Sequence, residues 1–254
     1  MIRTDTIVVP EHVHGYPGVA FGGYVAGVLA AQSGASAVRV DFRRRVPVET
    51  PVTLRRNDSD GLVLTDLEGL PLVEAVPATL ALTAPPAPSW DEALAVTESS
   101  APLRHESDCY GCGSLCAPGR GLRLFPWPQR AQNRVVAAWT PDESLAADTG
   151  DLPTELVWAA LDCPGGWVAM ALHTLRHGTV TAALTATQLA PVRAGRDYVS
   201  YAWPIAEAGR KSTVGVALAT RDGAVCALAE ALWIHPKPAP GHNDRRRLND
   251  PAAT

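Results

Sequence analysis

The sequence predicts an α+β protein in which a curved antiparallel sheet wraps a central apolar helix, and it predicts this unit twice. Three observations carry that reading. The run GVAFGGYVAGVLAAQSGA has almost no charge on any face, as a helix covered by sheet requires. Strand-like runs follow it, rich in β-branched residues and separated by Gly, Asp, Asn or Pro turn signals. The second half of the chain then repeats the order of strand, one apolar helical stretch and four strands.

The first half opens with a short strand candidate, TIVV, before the Gly22-Gly23 helix. The runs SAVRVDFRRRVPV, PVTLRRN, GLVLTDLE and PLVEAVPATLAL follow. Residues 84–108, rich in Pro, Ser and acid, read as a linker with at most one short helix. The second half has strand candidates GLRLF and RVVAAWT, then the helical stretch LPTELVWAALDCPGGWVAMALHTL. Four runs complete it: VTAALTATQLAPV, DYVSYAWPIAE, STVGVALATRD and AVCALAEALWI. The segments VPVETPVTL and APVRAGRDYVSY each place Pro-Val ahead of a turn and a new strand, so the likeness reaches local detail. The expected division is 1–83 and 109–235 as folded units, 84–108 as linker and 236–254 as a disordered tail. The RRR at 245–247 reads as part of a solvated tail end.

At 254 residues and 46% hydrophobic, the chain can bury a sizeable core. A formal charge of -4 gives no broad electrostatic reason to expect nucleic acid or a membrane surface as partner. No apolar run approaches the roughly 20 residues that span a bilayer. The N-terminus lacks a basic-then-apolar leader, so a cytoplasmic protein is expected. Five cysteines, odd in number and clustered, argue against a disulfide framework.

PGVAFGGYVAGVLA (17–30), LVWAALDCPGGW (156–167) and CYGCGSLCAPGRGLRL (109–124) resemble segments of the hotdog-fold thioesterase and dehydratase superfamily in its tandem-duplicated, double-hotdog form. The resemblance implies two curved antiparallel sheets, each wrapped around a central helix. It also implies a His-Gly-Gly at the helix start and an acid about nine residues on. This chain departs from that pattern in complementary ways. Phe21 precedes Gly22-Gly23 where the family has histidine, and Ala30 stands at the acid position. In the second half Asp162 holds the acid position, while Pro153-Thr154-Glu155 replace the glycines.

Thioester hydrolysis needs backbone donors aimed at a developing oxyanion and a carboxylate to attack or to activate water. Glycines at a helix N-terminus supply free N–H groups with no side chain in the way. An acid eight residues further on lies about 12 Å along the same helix, too far to serve the same carbonyl. The acid must therefore come from the partner helix. Gly22 and Gly23 are expected to face Asp162, giving one live site, while Ala30 and Pro153-Thr154-Glu155 form a retired one. Two plainer roles stand beside this: the glycines allow close packing, and Asp162 caps the Cys163-Pro164-Gly165-Gly166 turn. A break at that Pro-Gly-Gly run would leave Asp162 at a helix end or kink.

The expected catalytic set is thus Asp162, Gly22 and Gly23, with Phe21, Tyr24, His14, Trp158 and Trp167 lining an apolar pocket between the helices. No cofactor is required. The expected substrate is an acyl-CoA or an acyl-carrier adduct, and homo-oligomers of the double unit are compatible with the fold. The alternatives are an enoyl-thioester hydratase or 3-hydroxyacyl dehydratase, dependent on His14, and a non-catalytic acyl-thioester or lipid binder. His105, Cys109, Cys112 and Cys116 form a dense ligand cluster that could close a zinc site. Against zinc, all four come from one short segment. Metal is therefore not expected. His173 and His177 should sit at the C-terminal end of the second helix. Arg43–Arg45 and Arg55–Arg56 are read on strands, either meeting phosphate or protecting strand faces.

Overall fold

The computed structural model describes residues 4–57, 60–175 and 178–236. His177, the RRR at 245–247 and all but the first residue of the expected tail lie outside the described residues.

The first half contains β1 (Thr4–Ile7), β2 (His14–Tyr16), β3 (Val19–Ala20), α1 (Gly22–Ser33), β4 (Ala37–Phe42), β5 (Val52–Arg56), β6 (Leu62–Thr65) and β7 (Pro71–Pro77). Then come α2 (Trp90–Ser100), β8 (Trp127–Gln129) and β9 (Arg134–Trp139). The chain continues through α3 (Thr154–Ala160), α4 (Cys163–Ala171), β10 (Val180–Gln188), β11 (Tyr198–Ala208), β12 (Lys211–Thr220) and β13 (Val225–Ile234).

Eleven strands form one antiparallel sheet in the order β1-β5-β6-β7-β4-β10-β13-β12-β11-β9-β8, and β2 pairs with β3 separately. The two expected sheets are joined edge to edge into one continuous sheet. The strands of the two halves meet at β4 and β10, with Val40 opposite Leu184. That pairing gives each half's inner strand a partner and, among the described residues, leaves β1 and β8 as the edges of this sheet. On one face of this sheet α1 lies against β4, β7 and β10, and α4 lies against β9, β11, β12 and β13.

α1 and α3 pack directly on one another. A Cβ on Gly23 would fall 2.6 Å from the Asp162 Cβ and 2.9 Å from the Ala159 Cα, and one on Gly27 would fall 2.4 Å from the Glu155 Cα. As α1 advances from residue 23 to 27, its contacts retreat from 159 to 155, so the two helices run antiparallel. The glycines at i and i+4 form a groove on one face of α1, and the α3 backbone lies in it.

The segment expected to be a linker is ordered in the structure. Ser89 accepts the Glu92 N–H at 3.2 Å and caps α2, and Asp91 and Glu92 stand in its first turn. Ala93 of α2 joins a second core with Val136, Val199, Tyr201, Ala217 and Ala219, onto which Leu80, Leu82 and Trp90 pack. The strands β9, β11 and β12 are thereby covered on both faces, by α4 on one and by this strap on the other. Their apolar, weakly alternating sequences follow from double coverage.

Three further expectations are corrected. GLRLF forms no strand; the edge strand is Trp127–Gln129. Arg43–Arg45 lie beyond the end of β4, where Arg43 pairs with Glu74 at 2.8 Å and Arg44 donates to the Pro71 carbonyl. Arg55 and Arg56 do fall on β5, but both are exposed, since the strand's burial ends after Leu54. No described helix is long and apolar enough to cross a membrane.

Candidate active site

The long second helical stretch is broken in two. α3 ends at Ala160, and Asp162 adopts φ -89 and ψ -70 ahead of α4, with Pro164 in the first turn of the new helix. The break falls just before the Pro-Gly-Gly run, because Pro164 has no N–H to continue α3. Asp162 makes no side-chain cap to its own helix. The local-cap role considered for it is not the one adopted.

Its carboxylate crosses to α1 instead. Gly23 N–H donates to Asp162 Oδ2 at 2.7 Å, and Thr181 Oγ1 donates to Asp162 Oδ1 at 2.7 Å. The acid is 2% exposed. Burial raises its pKa to about 6, and the Thr181 and Gly23 hydrogen bonds moderate that rise. The structure thus brings Gly22, Gly23 and Asp162 together at one helix end. Gly23 N–H is already engaged by the acid. Among the described residues, the N–H groups of Gly22 and Tyr24 meet no protein acceptor.

Thr181, at the start of β10, went unnoticed in the sequence because nothing marks it within a run of threonines and alanines. It reaches the acid because β10 is paired with β4 across the middle of the sheet. Tyr16 donates from its hydroxyl to the Thr179 carbonyl at 2.7 Å.

Phe21 is 4% exposed, its ring 6.0 Å from that of Tyr110, and Tyr24 meets Tyr110 edge-on at 6.2 Å. Trp158 is 3% exposed and packs beneath Gly27, in the core. Trp167 pairs with Trp127 at 5.5 Å. His14 places Nδ1 2.7 Å from the Glu11 carbonyl and Nε2 3.2 Å from Asp108 Oδ2. No described hydrogen bond joins His14 to Asp162. His173 follows α4, as expected, with Nδ1 2.7 Å from Ser212 Oγ.

The four-ligand set His105, Cys109, Cys112 and Cys116 is not assembled. Cys116 turns its thiol to the Asp108 and Cys109 carbonyls, and His105 is exposed. Cys109 and Cys112 instead meet Cys163, the residue after Asp162. Two surface hollows, of about 230 Å³ by Leu122, Phe125 and Trp139 and about 420 Å³ by Tyr198 and Arg221, lie elsewhere, and neither includes Asp162.

No protein-family model matches the chain, and no curated protein matches it by sequence. Solved structures do match it. A proposed thioesterase from Novosphingobium aromaticivorans DSM 12444 superimposes with a TM-score of 0.61 at 14% identity, over 92% of this chain and 96% of that one. The tesB protein of Mycobacterium avium subspecies paratuberculosis gives 0.55 at 16% identity, over 88% and 91%. A protein of unknown function with a hot dog fold from Alicyclobacillus acidocaldarius gives 0.53 at 13% identity, over 93% and 94%. At these identities the likeness is one of fold: the chain has the α+β hotdog fold, shared with these proteins along most of its length.

Proposed function

We propose that the chain hydrolyses acyl thioesters at the junction of α1, α4 and β10, and that it consists of two hotdog repeats, 1–83 and 109–235, with one live site between them. One observation carries this reading: a buried carboxylate, Asp162, held by the Gly23 N–H and the Thr181 hydroxyl at the N-terminus of α1. A buried acid is unfavourable unless bonded or used, and this one does not cap its own helix.

In the proposed reaction the Asp162 carboxylate takes a proton from water as the water oxygen attacks the thioester carbon. Thr181, bonded to the same carboxylate, helps to place that water. The carbonyl oxygen gains negative charge and is met by the Gly22 and Tyr24 N–H groups, at the positive end of α1. Collapse breaks the carbon–sulfur bond, and the leaving thiolate recovers the proton from Asp162. The products are a carboxylic acid and a free thiol, and no cofactor takes part. Gly23 acts in this scheme by orienting the acid rather than by binding the oxyanion. The fold neighbour from Novosphingobium aromaticivorans, named as a proposed thioesterase, supports this class of reaction, and an acyl-CoA or an acyl-carrier thioester is the proposed substrate.

The near-complete burial of Asp162, with both oxygens bonded, favours a second reading in which the chain binds acyl thioesters without turnover. A panel of acyl-CoA substrates separates the two. Loss of thioester absorbance should be followed, since the protein's five free cysteines would interfere with thiol reagents. Hydrolysis that falls at least about 100-fold in Asp162→Asn supports the enzyme, in keeping with the usual worth of a general base. Undiminished hydrolysis in that variant removes Asp162 from the mechanism. Retention of acyl-CoA by wild type without hydrolysis supports the binder.

A further inference from the structure

The geometry points to a zinc site formed by the thiolates of Cys109, Cys112 and Cys163, independent of whether the chain hydrolyses thioesters. The three sulfurs lie within 4.8 Å of one another. Those of Cys109 and Cys163 are 3.8 Å apart. Two sulfurs each about 2.3 Å from a zinc ion, at the tetrahedral angle, are separated by about 3.8 Å.

The loop that carries two of these sulfurs already has the shape a thiolate-bound cation needs. The loop runs Cys109-Tyr110-Gly111-Cys112-Gly113. Gly113 N–H closes the turn on the Cys109 carbonyl at 2.7 Å. A Cβ at Gly113 would meet that same oxygen at 2.5 Å, so the turn is closed to any other residue. The thiolate is the form that ligates metal.

The loop is also fixed in place without help from its cysteines. Tyr110 N–H donates to the His14 carbonyl at 2.8 Å, Leu122 N–H to the Tyr110 carbonyl at 2.8 Å and Leu124 N–H to the Gly111 carbonyl at 3.0 Å. These bonds hold the Cys-x-x-Cys turn over the first residue of α4, where Cys163 supplies the third sulfur from a distant part of the chain. Zinc sites commonly combine a close pair of ligands with others from elsewhere, and thiolate ligands select soft cations. Three protein ligands leave a fourth position to water.

The test uses the full chain, reduced with a phosphine and stripped of metal, titrated with Co²⁺ and then with Zn²⁺. The expected result is one Co²⁺ per chain, with tetrahedral d–d bands and the sulfur charge-transfer absorption of three thiolates, displaced by one equivalent of Zn²⁺. Cys109→Ser, Cys112→Ser and Cys163→Ser should each weaken Zn²⁺ binding by at least about 100-fold, since losing outer partners of a ligand alone costs about 10–100-fold. Cys116→Ser and Cys226→Ser should bind as wild type does. If a serine variant fails to fold, the wild-type spectrum still decides, because its charge-transfer intensity counts the thiolates. The assignment is overturned by an absence of stoichiometric Zn²⁺ uptake, by an octahedral cobalt spectrum without sulfur absorption, by full uptake in Cys163→Ser, or by loss of uptake in Cys116→Ser.

Discussion

Gly23 and Asp162, 139 residues apart, are joined by a 2.7 Å hydrogen bond from a backbone N–H to a buried carboxylate. The same glycine is also where α1 and α3 come closest to the acid, with no room for a Cβ between them. One residue therefore serves packing and the candidate site together. The two explanations offered for the glycine pair on sequence grounds are not rivals at this position.

Gly23→Ala should accordingly destabilise the protein by about 1–3 kcal/mol, the usual cost of overpacking. The intruding methyl meets the Ala159 Cα as well as the Asp162 Cβ, and backbone cannot turn aside as a flexible side chain would. Gly27→Ala, against the Glu155 Cα, should cost a similar amount while leaving the Gly23–Asp162 bond to form. Denaturant melts of both variants check this. Wild-type stability in either would mean that α1 and α3 are not in contact as described.

The Thr181 hydroxyl takes no part in the sheet ladder, yet it satisfies one oxygen of a carboxylate with 2% exposure. Thr181→Val keeps the shape and removes the donor, leaving Asp162 Oδ1 unbonded. A loss of about 1–3 kcal/mol is expected, whereas Thr181→Ser, which keeps the hydroxyl, should lose less. Equal melting of the valine and serine variants would show that the hydrogen bond contributes nothing.

Much of this arrangement could be read in the sequence, and the failures share a cause. The uncharged helix at residues 22–33 and the eight long strand runs announced themselves through local pattern, which is set by what covers each element. The meeting of Gly23 with Asp162 followed from a length argument: one helix cannot present both groups to one carbonyl. One short helix was allowed within residues 84–108, but its packing as an ordered strap was missed because its apolar contacts, Ala93 and Trp90 among them, are sparse in a Pro-rich and acidic segment. Thr181 and the Cys163 side of the cysteine cluster were missed because both depend on the β4–β10 pairing and the α3–α4 break, which no local signal gives. GLRLF looked like a strand by alternation alone; in the fold its Leu122 and Leu124 are buried while their backbone N–H groups bond the Cys109–Gly113 loop instead of a sheet neighbour.

Phe21 stands where the sequence resemblance implied a histidine, and its surroundings suit an apolar ring. The ring is buried against Tyr110 and lies over Gly111, with no hydrogen-bonding role for an imidazole to fill. Phe21→Ala should cost about 3–5 kcal/mol, as for other buried phenylalanines. Phe21→His should also destabilise the chain, because it buries a polar ring against aromatic neighbours. Thermal melts that rank histidine equal to phenylalanine would contradict this account of the position.

Glu92 supplies a pH-dependent part of the strap's attachment. Its carboxylate accepts from Gln129 Nε2 at 2.9 Å and from Arg134 Nη2 at 2.5 Å, so α2 is tied to β8 and β9. The Gln129 hydrogen bond, opposed by partial burial and reinforced by Arg134, lowers the Glu92 pKa below its ordinary value. A group depressed in the folded state stabilises above its unfolded pKa, about 4.3, and loses that contribution as pH falls through the folded value. Glu92→Gln should therefore lower stability near neutral pH and converge with wild type in acid, below the folded Glu92 value. The side chain is 37% exposed, so solvent screening keeps the effect small, and salt should reduce it further. Urea melts of both proteins between pH 3 and pH 7, at low and high salt, measure the convergence. A gap that stays constant across that range would assign the variant's loss to packing instead of charge.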